Sequence, residues 1–171
     1  MNIQALIDSL NNTGLKTPLE KWDPPYCGPL DLIIKANGEW LYQGTPITRQ
    51  KIINLFASVL CVEENEYFLK TPVEKVRIEV ERYPFLHTQW CDKSIDGVSI
   101  IVLTTNVGDE IALLNGDTFE IEGDYIATQI RRGLKAGLHR NVYYQLCDRA
   151  KEDEKGMYVE SNNHRHYLYR F

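Results

Sequence analysis

The chain has 171 residues, and 19 Lys and Arg against 24 Asp and Glu leave a formal net charge of −5. Apolar residues make up 43% and charged residues 25%, a globular mix that excludes disordered, collagenous and coiled-coil chains. No apolar run approaches the ~18 residues of a membrane span, and the acidic balance argues against binding duplex nucleic acid.

Residues 3–10 place Ile3, Leu6, Ile7 and Leu10 at helical spacing, and Asn11 to Gly14 ends that helix. With Asp8 and no basic start, the segment is not read as a secretory signal. Trp22-Asp23-Pro24-Pro25 is a stiff connection. Leu30, Leu32 and Ile34 then alternate, Asn37-Gly38 predicts a type I′ turn, and Trp40 and Tyr42 share a face of the returning strand. Residues 49–60 read as a helix with Ile52, Phe56 and Leu60 in its apolar stripe. Strands follow at 67–69 and 76–80, and Tyr83-Pro84-Phe85 breaks the pattern. In the second half, strands are expected at 98–103, 110–114 and 118–122, with Asn115-Gly116 as a tight hairpin between the last two. A helix at 138–150 and strands at 157–160 and 167–171 close the chain.

The halves overlay at an offset of 91, which pairs Arg49 with Arg140, Leu55 with Leu146 and Tyr67 with Tyr158. Residues 127–137 then behave as an insertion. The expected organisation is an N-terminal helix and linker over 1–21, a first unit over 22–86 and a second over 87–171. The fold class is α+β: two tandem repeated units, each a mainly antiparallel sheet with one helix, with a ligand expected at their seam.

No hydrolase, P-loop or dinucleotide signature is present. Cys27, Cys61, Cys91 and Cys147 form no C-x-x-C pair, so four reduced, mostly buried thiols in a cytoplasmic setting are expected. His164 and His166 could share a face, but two ligands make a weak metal signal, and neither a metal nor a cofactor is assigned. Arg131, Arg132, Lys135, His139 and Arg140 form a basic run leading into the second helix, where N–H groups and cations together suit an anion. Glu74 and Lys75 have no nameable orienting partner for acid–base work.

The strings Gly44-Thr45-Pro46-Ile47 with Arg49 and Thr71-Pro72-Val73-Glu74-Lys75, with Asn37-Gly38-Glu39-Trp40 before them, resemble a bacterial family named as domain of unknown function family 1285. Thr105-Asn106-Val107-Gly108-Asp109-Glu110 and Gly133-Leu134-Lys135-Ala136 are similar to its second half. Ala36 and Asn65-Glu66 depart from the family pattern, both in turns. The resemblance implies a duplicated α+β architecture whose second unit is superficially like a pleckstrin-homology fold, a nucleotide-like ligand between the units and a role in signal transduction. The expectation is a non-catalytic module for a small anionic, nucleotide-like ligand. Arg49, Lys75, Arg131, Arg132, Lys135 and Arg140 would meet phosphate, and Trp40 or Tyr42 would pack on a base. The alternatives are a protein-interaction module, suggested by ten tyrosines, and an enzyme of unknown reaction.

Overall fold

The computed structural model describes residues 3–13, 19–116 and 118–171. The chain is mixed α and β and divides into two compact units, Met1–Arg82 and Tyr83–Phe171.

In the first unit, helix α1 (Ile3–Thr13) buries Leu6 and Leu10 and packs against α2 (Gln50–Ser58). Gly14, read as the stop signal, lies outside the described residues. Strands β1 (Tyr26–Ile34), β2 (Trp40–Tyr42), β3 (Thr45–Pro46), β4 (Leu60–Glu63), β5 (Glu66–Lys70) and β6 (Lys75–Val80) form one sheet in the order β3-β2-β1-β6-β5-β4. Only β1 and β6 run parallel in it. The alternation at Leu30, Leu32 and Ile34 becomes the buried face of β1. The turn after β1 is not the expected two-residue type I′: Gly38 alone has positive φ there (91°), and Lys35 N–H donates to Glu39 O at 2.8 Å across a longer loop. The helix also stops two residues early. Val59 caps it, and Leu60 to Glu63 pair with β5, because a short apolar run serves a strand as well as a helix and β5 supplies the partner.

The second unit contains β7 (Phe85–Ile95), β8 (Val98–Thr105), β9 (Glu110–Ala112), β10 (Glu120–Glu122), β11 (Tyr125–Arg131) and β12 (Leu134–Leu138) in the order β10-β11-β12-β7-β8-β9. Helix α3 (Arg140–Asp148) follows, then a separate three-stranded sheet of β13 (Lys151–Asp153), β14 (Gly156–Ser161) and β15 (His164–Arg170). Tyr83 and Pro84 break the strand pattern as expected, at the boundary of the two units, and Phe85 opens the longest strand among the described residues. Only Phe85 to His87 of β7 is buried, so no apolar alternation announces it. Asn115-Gly116 makes no hairpin, since β9 and β10 lie on opposite edges of the sheet. The presumed insertion at 127–137 is the β11–β12 hairpin, and Leu138 closes β12 rather than opening a helix. Ile101, Leu103, Leu113, Ile126, Val142, Leu146 and Leu168 share one core. All four cysteines are free, but Cys27 and Cys91 are exposed, against the expectation of mostly buried thiols.

The duplication is real and its register is 90, not 91. Both helices span nine residues, from N-caps Arg49 and His139 to C-caps Val59 and Arg149. The strand pairs Cys61↔Phe68 and Glu63↔Glu66 recur as Lys151↔Tyr158 and Asp153↔Gly156. The chance match of Arg49 with Arg140 had set the sequence overlay one residue out. Upstream, the pairs Leu32↔Tyr42 and Ile34↔Trp40 recur as Val102↔Ala112 and Thr104↔Glu110, an offset of 70. The extra residues between β9 and α3 carry β10 and the β11–β12 hairpin.

Candidate functional site

The sequence places four of the eight expected ligand residues in each unit, and the structure gives most of them local duties. Trp40 is 1% exposed and stacks on Phe56 with ring centroids 6.4 Å apart, so its indole belongs to the first core and has no open face for a base. Tyr42 is half-buried on β2 and Arg49 is the exposed N-cap of α2. Lys75 Nζ lies 2.9 Å from Glu63 Oε2 and 4.8 Å from the centroid of Phe68. That hydrogen bond holds the Glu63 carboxyl below its ordinary range and the Lys75 ammonium above its own.

In the second unit the basic run does not lead straight into a helix. Arg131 ends β11 and pairs with Asp109. Arg132 occupies the turn before β12 at φ 48°, followed by Gly133 at 75°, the same pair of left-handed residues as Gln43 and Gly44 before β3. Lys135 is bound by Glu120 at 2.6 Å and Glu122 at 3.4 Å. Its hydrogen bond with Glu120 raises the Lys135 pKa and lowers that of Glu120. Arg140 is the exposed first residue of α3, where the N-cap His139 accepts a hydrogen bond from Asn141 N–H at 3.2 Å. Two of the run's four full cations, Arg131 and Lys135, are thus matched by carboxylates.

The two histidines of the H-x-H pair have different fates. His166 is fully buried and donates from Nε2 to Ser161 O at 3.0 Å; burial lowers its pKa and leaves it neutral. His164 is exposed and donates from Nδ1 to Asn162 O at 2.7 Å. Among the described residues, no three His, Cys, Asp or Glu side chains are grouped to hold a metal.

A different constellation does come together. A groove of about 610 Å³ in the second unit is lined by Arg149, Lys151, His164 and Arg165, with Glu160 as the one carboxylate and Ser99, Ser161 and Asn163 as neutral polar groups. Its frame is rigid. Ser161 Oγ accepts from Ile101 N–H at 2.8 Å and donates to Leu113 O at 2.7 Å, while Asn162 N–H donates to Ser99 O at 2.9 Å. The β14–β15 hairpin is thereby tied to β8. Its two-residue turn, Asn162-Asn163, has φ of 51° and 61°, a conformation asparagine tolerates.

Each cation is held at one edge by a carboxylate and, for the arginines, by a ring. Arg149 lies 2.6 Å from Asp92 and 5.1 Å from the Trp90 centroid. Arg165 lies 2.7 Å from Asp153 and 4.8 Å from the Tyr158 centroid. Lys151 lies 2.8 Å from Glu160. Burial pulls the Asp153 carboxyl upward, but hydrogen bonds from Lys155 N, Tyr167 Oη, Arg165 and Gly156 N outweigh it and keep the group ionised. The remaining guanidinium N–H groups have the donor geometry that oxyanions accept from. Sequence reasoning missed the groove because Arg149, Lys151 and Arg165 are scattered over α3's cap, β13 and β15. The Asn162-Asn163 turn beside His164-Arg165 was the one local signal.

No curated protein matches this chain. Two solved structures do. One is a DUF1285 family protein from Silicibacter pomeroyi DSS-3, 30% identical, covering 96% of this chain and 94% of that one with a TM-score of 0.80. The other is a DUF1285 family protein from Shewanella baltica OS155, 33% identical, covering 70% of this chain and 91% of that one with a TM-score of 0.58. The family model for the N-terminal domain of DUF1285, a domain of unknown function, matches residues 17–82, and the model for its C-terminal domain matches residues 84–168. The chain therefore belongs to the DUF1285 family.

Proposed function

We propose that the protein is a non-catalytic binding module for a small phosphate-bearing ligand, held in the groove of its second unit. The observation that carries this reading is the grouping of Arg149, Lys151, Arg165 and His164 around one groove in a chain of net charge −5. Asp92, Glu160 and Asp153 each offset one of the three full cations, and the guanidinium N–H groups they leave unused are the donors an oxyanion would meet. Each arginine is already oriented by a ring and a carboxylate, so little side-chain entropy remains to be lost on binding. A nucleotide-like ligand suits the groove because its phosphates meet fixed guanidinium forks. In this reading the chain senses the ligand and passes the signal on without transforming it.

The test is calorimetric titration with inorganic pyrophosphate and a panel of nucleoside phosphates. Arg149→Met and Arg165→Met are each expected to weaken binding by about 1.5–3 kcal/mol, the range for a hydrogen bond to a charged group. Lys75→Met and Arg140→Ala, outside the groove, are expected to leave it unchanged. A loss with Arg140→Ala but not with Arg165→Met would place the ligand elsewhere, and no heat with any phosphate would end the proposal.

A further inference from the structure

A second cavity of the same unit, about 250 Å³, shares no lining residue with the basic groove. It is walled by Tyr125 of β11, Tyr143 of α3 and Tyr169 of β15, with Ile126 and Leu168 beneath and Asp124 beside them. Asp124 sits at the tip of the β10–β11 hairpin, in the two-residue turn between the paired Glu122 and Tyr125. Tyr125 and Tyr169 each keep 46% of their surface exposed, and the Tyr169 ring meets Phe171 edge to face at 6.0 Å. Among the described residues lining the cavity, Asp124 is the only charged side chain.

Three phenol rings and a carboxylate around an apolar floor define a chemistry. Aromatic ring faces carry partial negative charge, the carboxylate carries a full one, and Ile126 and Leu168 supply an apolar floor. An anion would be repelled. A bare ammonium would surrender strong hydration to enter, whereas a methylated ammonium is weakly hydrated and fills the space with methyl groups. The volume equals the liquid share of about eight waters, enough for such a headgroup. We infer that this cavity binds a quaternary or methylated ammonium group. The inference stands on different residues from the phosphate reading and does not depend on it.

The test compares choline with its neutral isostere, in which carbon replaces the nitrogen, by calorimetry and tyrosine fluorescence on the full chain. Choline is expected to bind about tenfold more tightly, the margin for a desolvated cation–π site. Tyr169→Phe, which keeps the ring, is expected to retain that preference. Tyr169→Leu and Asp124→Asn, both at exposed positions, are expected to lose most of it without lowering thermal stability. A short peptide carrying trimethyllysine separates the two sources of the group. Tighter binding than choline assigns the cavity to a modified protein side chain, and weaker binding assigns it to a free small molecule. Equal affinity for the isostere, no saturable response, or an unchanged preference in Tyr169→Leu would overturn the inference.

Discussion

The two units repeat one cluster and use it differently. In the first, Lys75 pairs with Glu63 and lies over Phe68; ninety residues later, Arg165 pairs with Asp153 and lies over Tyr158. Around the first cluster, Val59 and Cys61 are buried. Their counterparts at the second are Arg149 and Lys151, and both line the open groove. The surrounding sheet differs as well. In the first unit β6 joins β1 in parallel, so β4, β5 and β6 share one six-stranded sheet with β1, β2 and β3. In the second, β7 pairs with β8 and the β13–β15 strands form a sheet of their own. Duplication supplied the frame, and divergence at two exposed positions supplied the charge.

Substitutions at matched positions sharpen this contrast. The largest effect is expected at Gly156, whose φ of 152° and close approach to the backbone of Tyr169 and Arg170 leave no room for a Cβ. Its counterpart in the first unit is Glu66, which carries a side chain at the same register. Gly156→Ala should destabilise by about 3 kcal/mol in denaturant unfolding, whereas Glu66→Ala should cost about 0.5 kcal/mol or less. Comparable losses at the two sites would contradict the register.

A strand of the second unit without a counterpart in the first, β7, carries the next effect. His87 is fully buried, with Nε2 2.7 Å from Thr128 Oγ1, and burial lowers its pKa from 6.5 to about 4. The unfolded chain takes up this proton first, so the stability is complete above pH 6.5 and is lost as pH falls to about 4. The loss over that window is about 3 kcal/mol. Unfolding curves across the window should be visibly flatter for His87→Gln; an unchanged slope would mean the imidazole is already charged when folded.

The smallest effect is expected at the repeated ion pairs. Lys75→Met and Arg165→Met should each change stability by less than about 1 kcal/mol, because both pairs are open to water. Their divergence should instead show in anion binding. A large stability loss in either variant would make the cluster a structural fastener in that unit.

Local features were legible where one short stretch carries the whole signal. The β1 face follows from Leu30, Leu32 and Ile34, and the α2 stripe from residues such as Phe56. The recurrence of the halves was visible as a pattern before its register was right. The β7 strand was not, because Thr88 to Ile95 are exposed apart from the half-buried Trp90, show no apolar alternation, and pair through backbone groups that any residue possesses. The basic groove was illegible for a related reason: its cations come from two short stretches, 149–151 and 164–165, and only the pairing of β13, β14 and β15 brings them together.

Composition and apolar spacing by themselves determined the α+β class, the tandem units and the helices, since each depends on neighbours within a few turns or pairs. Tertiary structure decided which strands pair, that Trp40 packs in a core, and which cations share a surface. Hydrogen bonds between strands carry no side-chain identity, so the choice of partner is made by the burial of whole faces.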